Sequence, residues 1–368
     1  MSKASDPASR AGAVLEIDLG AVAANWRLLA EKATPATCAA VVKANGYGLG
    51  AEPVARALTA AGCRGFFVAT LDEGIALRTT LGDGPEIAVF NGPLPGSAAE
   101  FAAARLIPVL NDPGQVETWD KIGAASMLHI DTGLNRLGLS AAEFAVLAES
   151  PARVAALGAQ TLISHLACAE IPTHPLNAAQ RERFAAARQR LPGLKACLAA
   201  SSGVFLGPDF HFDAVRPGAA LYGVNPLPGS PNPMRPVVRL IAKILQIRKI
   251  DRGESVGYGA AHVMHEPGFL AIAAIGYADG WPRSLSHRGC GWLAGKRVPL
   301  LGRVSMDLAT FDVSAVDLAA RHPGNTIELL NEFHGVDDVA ADAGTIGYEI
   351  LTALGSRYHR VYRDPPTR

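Results

Sequence analysis

Eight times between residues 38 and 216, a short apolar run, often β-branched, alternates with a stretch of helical spacing. The runs are Cys38 to Val42, Phe66 to Ala69, Glu86 to Phe90, Ile107 to Leu110, Met127 to Ile130, Leu162 to His165, Ala196 to Ala199, and a last one ending at Arg216. Between them lie amphipathic patterns such as Val116, Trp119 and Ile122, and a stretch after Asn177 that includes Phe184. Parallel strands need crossover connections, usually helices, so this alternation constrains the chain to a helix-covered parallel sheet. Eight repeats predict a closed (β/α)8 barrel of the TIM type, with an open doubly wound sheet as the alternative.

Near residue 225 the texture changes. Pro226, Pro228, Pro231, Pro233 and Pro236 mark a linker. Beyond it come strand-like runs such as Val237 to Ile250, turns at Asp251 to Gly253 and Asp279 to Gly280, and little helix before residue 336. A chain of 368 residues exceeds the usual size of one domain. The expectation is therefore an α/β plus β protein, with an N-terminal barrel at 14–228 and a mainly β domain at 229–368. The strand-like segment Val14 to Leu19 could join the second domain's sheet, and residues 1–13 read as a loosely attached or disordered N-terminus.

Composition narrows the function. Lys plus Arg balances Asp plus Glu, 34 against 34, without a long run of either sign, so nucleic acid and anionic membranes are not the expected partners. No stretch approaches the roughly 18 apolar residues of a membrane span, and the polar start has no apolar signal core. Five cysteines without a Cys-x-x-Cys pair argue against a disulfide framework and a zinc ribbon. Small-molecule chemistry in a reducing cytoplasm, with no metal at the site, is the resulting expectation.

In such a barrel, functional groups project from the C-terminal ends of the strands. That rule picks out Lys43 after the first strand, Asp131 to Arg136 after the fifth, His165 at the sixth, Ser201 and Ser202 after the seventh, and Arg216 at the eighth. Any one of these could be an ordinary solvated strand end. Lys43 ends an apolar run and precedes Gly46, Gly48 and Gly50. Partial desolvation there lowers an amine's pKa and frees it to react with an aldehyde. The glycine run is neither a dinucleotide fingerprint nor a Walker A sequence, which disfavours a nucleotide enzyme.

The segment Val41-Val42-Lys43-Ala44-Asn45-Gly46-Tyr47-Gly48 closely resembles the pyridoxal-phosphate signature of the alanine racemase family, fold type III. Five more segments resemble that family in the same order. They are His129 to Gly138, Val215 to Gly223, Val256 to Ala260, Ile275 to Arg283, and Gly302 to Asp307. The resemblance runs from about residue 14 to residue 362.

That resemblance implies a racemase interconverting L- and D-alanine and supplying D-alanine for peptidoglycan. Lys43 would hold pyridoxal 5'-phosphate as a Schiff base and serve as one catalytic base, with Tyr258 from the other subunit on the opposite face. Arg216 would face the pyridine nitrogen, where a permanent cation keeps that nitrogen unprotonated, and His165 would hydrogen-bond Arg216. Tyr47, Ser202 and backbone amides near Gly203, Gly218 and Ala219 would take the phosphate. Arg136, Met306, Asp307 and Tyr277 would contact substrate or its entrance, with Glu170, Arg283 and Arg303 further out. Sharing of sites implies a homodimer.

The sequence departs from the family pattern at several positions. His129 stands where many members have a lysine that props Arg136, so another group must support that arginine. Ser305 replaces a frequent cysteine, and Ser201 a frequent asparagine. The phosphate-side tyrosine aligns with Ser356, with Tyr358 two residues on. The alternatives are a racemase of broader small amino acid specificity, a fold type III decarboxylase, and a non-enzymatic pyridoxal-phosphate carrier built on the barrel alone.

Overall fold

The computed structural model describes residues 7–363. The described chain divides into two compact units, residues 20–235 and residues 7–19 together with 236–363. Residues 1–6, part of the N-terminus expected to be loose, lie outside the described residues. Pro7–Arg10 form one helical turn, and Lys243 Nζ donates to the Ala8 and Ser9 carbonyls at 2.7 Å each.

Strand β1 (Ala13–Asp18) belongs to the second unit. The barrel begins with β2 (Thr37–Cys38) and β3 (Ala40–Val41), two halves of one strand interrupted at Ala39. It continues through β4 (Gly65–Val68), β5 (Glu86–Val89), β6 (Ile107–Leu110), β7 (Ser126–His129), β8 (Ala159–Ile163), β9 (Lys195–Cys197) and β10 (Ala214–Val215). All neighbouring pairs are parallel. The broken first strand closes the sheet, because β2 pairs with β10 while β3 pairs with β4. Ala39 N–H donates to Val215 O (2.9 Å) across the seam. A sheet whose first strand has partners on both sides has no edge, so the barrel is closed and the open-sheet alternative fails.

The crossover helices follow from local chemistry. Pro113–Asp120 starts at Asp112, whose carboxylate accepts the Gln115 N–H, with proline in the first turn where no donor is missed. It buries Val116 and Trp119, while Ile122 lies past its end and is partly exposed. Pro175–Arg190 buries Phe184 against the barrel side of an otherwise polar helix. Leu71–Leu81 carries a complete capping box, with Thr70 Oγ1 accepting from Glu73 N–H and the Glu73 carboxylate accepting from Thr70 N–H.

The second unit is built on β11 (Val238–Ile250), whose 13 residues serve two sets of partners. It is followed by the short hairpin β12 (Ser255–Val256) and β13 (His262–Val263), then β14 (Gly268–Ala273), β15 (Cys290–Leu293), β16 (Lys296–Leu301), β17 (Ala309–Asp312), β18 (Thr326–Leu330) and β19 (His359–Arg363). The first half of β11 pairs antiparallel with β1 and β18, and its second half with β14. Six strands, β14-β17-β16-β15-β18-β11, thus close on themselves, and β1 and β19 extend the sheet. A register irregularity between Ile244 and Gln246 marks the point where β11 changes partners. Two short α-helices, Val336–Ala343 and Gly347–Ala353, lie between β18 and β19. No helix among the described residues is long and apolar enough to cross a membrane.

Candidate active site

Lys43 leaves β3 at its C-terminal end and opens an unusual turn. Ala44, Asn45, Gly46, Tyr47 and Gly48 all have positive φ, from 52° to 83°. Left-handed backbone costs roughly 1–2 kcal/mol for each non-glycine residue, so the turn needs external support. Glu73 supplies it. Its Oε1 accepts the Ala44 N–H (2.6 Å), and its Oε2 accepts the Ala69 N–H (2.8 Å) at the end of β4. Asn45 Oδ1 accepts the Ala51 N–H (3.0 Å) and ties the turn to the next helix. One carboxylate therefore joins two adjacent strand ends and fixes where Lys43 departs.

The Lys43 amine is partly buried, lies 5.6 Å from the centroid of the Phe90 ring, and has its pKa lowered. Burial is the main cause, then the Arg136 guanidinium. Glu73 opposes the shift and Arg216 adds to it. At a given pH a larger fraction of this amine is neutral, and so nucleophilic, than of a free lysine.

Arg216 is 2 % exposed, held at the end of β10. Its Nη1 donates to Cys197 O (2.9 Å), its Nη2 donates to Ser164 O, and Nη2 also lies 3.1 Å from His165 Nδ1. Burial, followed by Arg216, Arg136, His129 and Lys43, depresses the His165 pKa to about 3. The imidazole is thus neutral, with Nδ1 accepting from the guanidinium and the ring proton on Nε2. His129 is similarly held at about 4 by burial and by Arg216, and its Nδ1 lies 2.8 Å from Asn111 Oδ1. Asn111 is fixed by donating to Phe90 O and Val109 O (2.9 Å each), so it takes the His129 ring proton on Oδ1.

Arg136 projects from a loop that Asp131 organises. The Asp131 carboxylate accepts from the N–H groups of Gly133, Leu134 and Asn135 at 2.8–2.9 Å. Gly138, with φ +113°, brings the loop back so closely that a Cβ there would lie 2.7 Å from Asp131 N. Arg136 itself is exposed and makes no hydrogen bond or ion pair among the described residues. His129, at the position where many members have a propping lysine, is engaged with Asn111, and no other group supports Arg136 by hydrogen bond or ion pair among the described residues.

Tyr47 is buried and stacks on Tyr222 with centroids 4.7 Å apart. A Cβ on Gly218 would fall 2.3 Å from the Tyr47 hydroxyl, so only glycine permits that approach. Ser201, rather than Ser202, reaches across to this turn, its Oγ accepting the N–H groups of Gly218 (3.0 Å) and Ala220 (3.2 Å). Of those three successive amides, the middle one, Ala219, is left for another acceptor. Ser202 opens the short helix Ser202–Leu206 that also contains Gly203. Lys43, Arg136, His165, Arg216 and His129 influence one another electrostatically, and Tyr47 meets Gly218, so the barrel gathers these groups at one mouth. Glu170 is exposed in the loop between β8 and the helix Pro175–Arg190.

In the second unit, Tyr258, Tyr277, Met306 and Asp307 stand on three abutting loops. Gly257 packs on Arg303, and a Cβ on Gly276 would lie 2.3 Å from the Ser305 and Met306 carbonyls. Tyr277 N–H donates to Ser305 O (3.1 Å). Tyr258 is 72 % exposed, Met306 54 % and Tyr277 43 %. Asp307 is held by Arg357 (2.7 Å), whose Nε also meets Asp279 (3.0 Å). Arg283 and Arg303 are exposed on the same loops. Ser356 is exposed, whereas Tyr358 is buried with its hydroxyl unpartnered, and burial raises its pKa.

Sequence reasoning missed Glu73, Asn111 and Ser164, the groups that hold Lys43, His129 and Arg216. Only Glu73 carried a signal, the Thr70-x-x-Glu73 capping box.

Comparison with known proteins agrees with this architecture. Residues 17–226 match the model described as alanine racemase, N-terminal domain, and residues 237–362 the model described as alanine racemase, C-terminal domain. An alanine racemase of Rhodospirillum rubrum is 51 % identical over 360 residues, covering 96 % of both chains. A catabolic alanine racemase of Mesorhizobium japonicum is 49 % identical, covering 96 % of this chain and 93 % of its own. Among solved structures, an alanine racemase from Bartonella henselae with covalently bound pyridoxal phosphate superimposes with a TM-score of 0.93 at 40 % identity, covering 96 % of this chain and all of that one. With both halves matched and relatives at half identity over almost the full length, the chain belongs to the alanine racemase family.

Proposed function

We propose that this protein is a pyridoxal-phosphate-dependent alanine racemase that works with two bases, Lys43 and Tyr258 of the partner subunit. The observation that carries the reading is the Lys43 amine at a barrel strand end, its pKa lowered by burial and by Arg136 and Arg216. The surrounding residues suit an anionic aldehyde cofactor. The Tyr47 hydroxyl lies where a Cβ on Gly218 would clash with it, and Ser201 takes the amides on either side of Ala219, an arrangement that fits a phosphate cradle. Bound pyridoxal phosphate supplies an electron-accepting ring that stabilises negative charge on the carbon bearing the amino group.

Each residue then has a task. Lys43 attaches the cofactor and afterwards moves a proton on one face of the substrate α-carbon. Tyr258 moves a proton on the opposite face, since inversion requires loss from one side and delivery to the other. Arg136, with no hydrogen-bond or ion-pair partner among the described residues, is available to the substrate carboxylate and to the Tyr258 oxygen. Arg216 faces the ring nitrogen with a permanent charge, and neutral His165 orients it. Met306, Asp307 and Tyr277 line the approach of the substrate. Three exposed apolar or aromatic side chains on adjoining loops, Tyr258, Met306 and Tyr277, support a homodimer that covers them. Five free cysteines fit a reducing, cytoplasmic setting, and D-alanine supply for peptidoglycan is the proposed role.

A decarboxylase of this fold type pairs the ring nitrogen with an acid, and here Arg216 stands in that place. A carrier lacks the second unit altogether. The discriminating experiment incubates purified enzyme and cofactor with L- and with D-alanine in deuterated water. Deuterium entering the α-position with formation of the other enantiomer supports the proposal. Carbon dioxide release from lysine, ornithine or diaminopimelate without alanine exchange overturns it.

A further inference from the structure

Outside the site described above, three ligand-type side chains converge in the second unit. Cys290 starts β15, His334 lies in the turn after β18, and Asp342 sits in the last turn of helix Val336–Ala343. Their Sγ, Nε2 and carboxylate oxygen atoms all lie within 4.8 Å of one another. We propose that Cys290, His334 and Asp342 form a three-ligand site for a zinc-class divalent cation, with water as the fourth ligand.

The distances suit a common centre. His334 Nε2 is 3.1 Å from Asp342 Oδ2 and 3.9 Å from Cys290 Sγ. Around tetrahedral zinc, with bonds of about 2.3 Å to sulfur and about 2.0–2.1 Å to nitrogen and oxygen, the corresponding ligand separations are roughly 3.3 and 3.6 Å. These two separations lie within a few tenths of an ångström of the tetrahedral ones, and Cys290 Sγ and the Asp342 carboxylate lie within 4.8 Å of each other. Nitrogen Nε2 offers a single in-plane direction for a proton or lone pair. A proton there serves either the carboxylate or the thiol, whereas a cation takes all three atoms.

The imidazole is held independently of these contacts. Its ring packs on Trp292 at 5.2 Å between centroids, and the turn is locked by His334 N–H donating to Asn331 Oδ1 (2.9 Å) and Asn331 N–H donating to His334 O (3.1 Å). Nδ1 is buried without a partner, so no protein acceptor draws the ring elsewhere. His334 is 9 % exposed and Cys290 1 %, while the Asp342 side chain, 31 % exposed, leaves an entrance and room for water. Soft sulfur with imidazole selects zinc-class ions over magnesium or calcium. The ion would tie β15 to the helix, a structural role remote in kind from Lys43 chemistry. Sequence spacing hides the set, because its members are 44 and 8 residues apart.

The test uses the cofactor-loaded enzyme, stripped with a chelator and dialysed against zinc or cobalt(II). The site predicts about one equivalent of metal per chain, a thiolate-to-cobalt charge-transfer band, the visible bands of tetrahedral cobalt, and a raised Tm. Cys290→Ser should abolish the charge-transfer band and weaken uptake at least tenfold, with racemisation unchanged. Asp342→Asn, at a half-exposed position that tolerates the change, should weaken uptake while keeping the band. Uptake far below one equivalent by the wild-type enzyme, or uptake equal in wild type and both variants, overturns the proposal.

Discussion

The two units hold their candidate site residues in opposite ways. In the barrel, Arg216 is buried under four acceptor contacts, His165 and His129 are kept neutral, and Lys43 is fixed through Glu73. In the second unit, Tyr258, Tyr277 and Met306 are exposed, and Asp307 alone of the set has an ion-pair partner. The barrel therefore carries a preorganised electrostatic site in a single chain, with the cost of burying the Arg216 cation met by backbone carbonyls and a neutral imidazole. The second unit presents exposed contributors on packed surface loops.

Breaking the first half of that contrast should have the largest effect. Lys43→Ala is expected to abolish racemisation by more than about 10⁴-fold and to remove the absorbance of lysine-bound cofactor near roughly 420 nm, read by spectrophotometry. Next comes Tyr258→Phe, expected to lower kcat by about 10²–10⁴-fold while leaving cofactor affinity nearly unchanged. The loss should fall on proton exchange at one face of the α-carbon, and equal, normal rates from both enantiomers would remove Tyr258 from the mechanism. Glu73→Gln sharpens the comparison. Glu73 raises the Lys43 pKa, so its neutralisation should move the pH profile of Lys43 acylation in cofactor-free protein to lower pH, with activity reduced roughly tenfold through a misplaced Ala44 N–H.

The smallest effect is on stability. His165 and His129 titrate at about 3 and about 4 when folded, against about 6.5 unfolded. The unfolded chain therefore binds more protons below pH 6.5, and stability falls as pH drops from there toward 4, where the folded histidines begin to charge. Unfolding free energies from denaturant titration of the cofactor-free protein should decline over that window by an amount on the order of a few kcal/mol. His129→Gln, which keeps the Asn111 contact, should flatten part of the slope.

The barrel was legible because its strands are short apolar runs and several crossover helices begin with a recognisable cap, as at Asp112 and Thr70. Strand ends pointed to Lys43, the stretch 131–136, His165, Ser201, Ser202 and Arg216, and the family resemblance singled out Arg136 within that stretch. What the residues concealed was anything set by tertiary contact. Ala44, Asn45 and Tyr47 have no intrinsic reason to be left-handed, and the turn exists because Glu73, twenty-nine positions away from Ala44, holds it. Ser201 taking the Gly218 amide, in place of a free phosphate-facing amide there, is likewise a pairing across two loops. In the second unit strands could be anticipated, yet closure through the two halves of β11 could not, since alternation says which face is buried and nothing about the partner.

The central claim is that one amine, Lys43, is the attachment point of the cofactor. Borohydride reduction of the pyridoxal-phosphate-loaded enzyme, followed by peptide mapping, tests it directly. The account predicts a single pyridoxyl adduct on the peptide containing Lys43 and its loss in Lys43→Ala. An adduct on any other lysine, or a protein that stays colourless after cofactor is added, contradicts it.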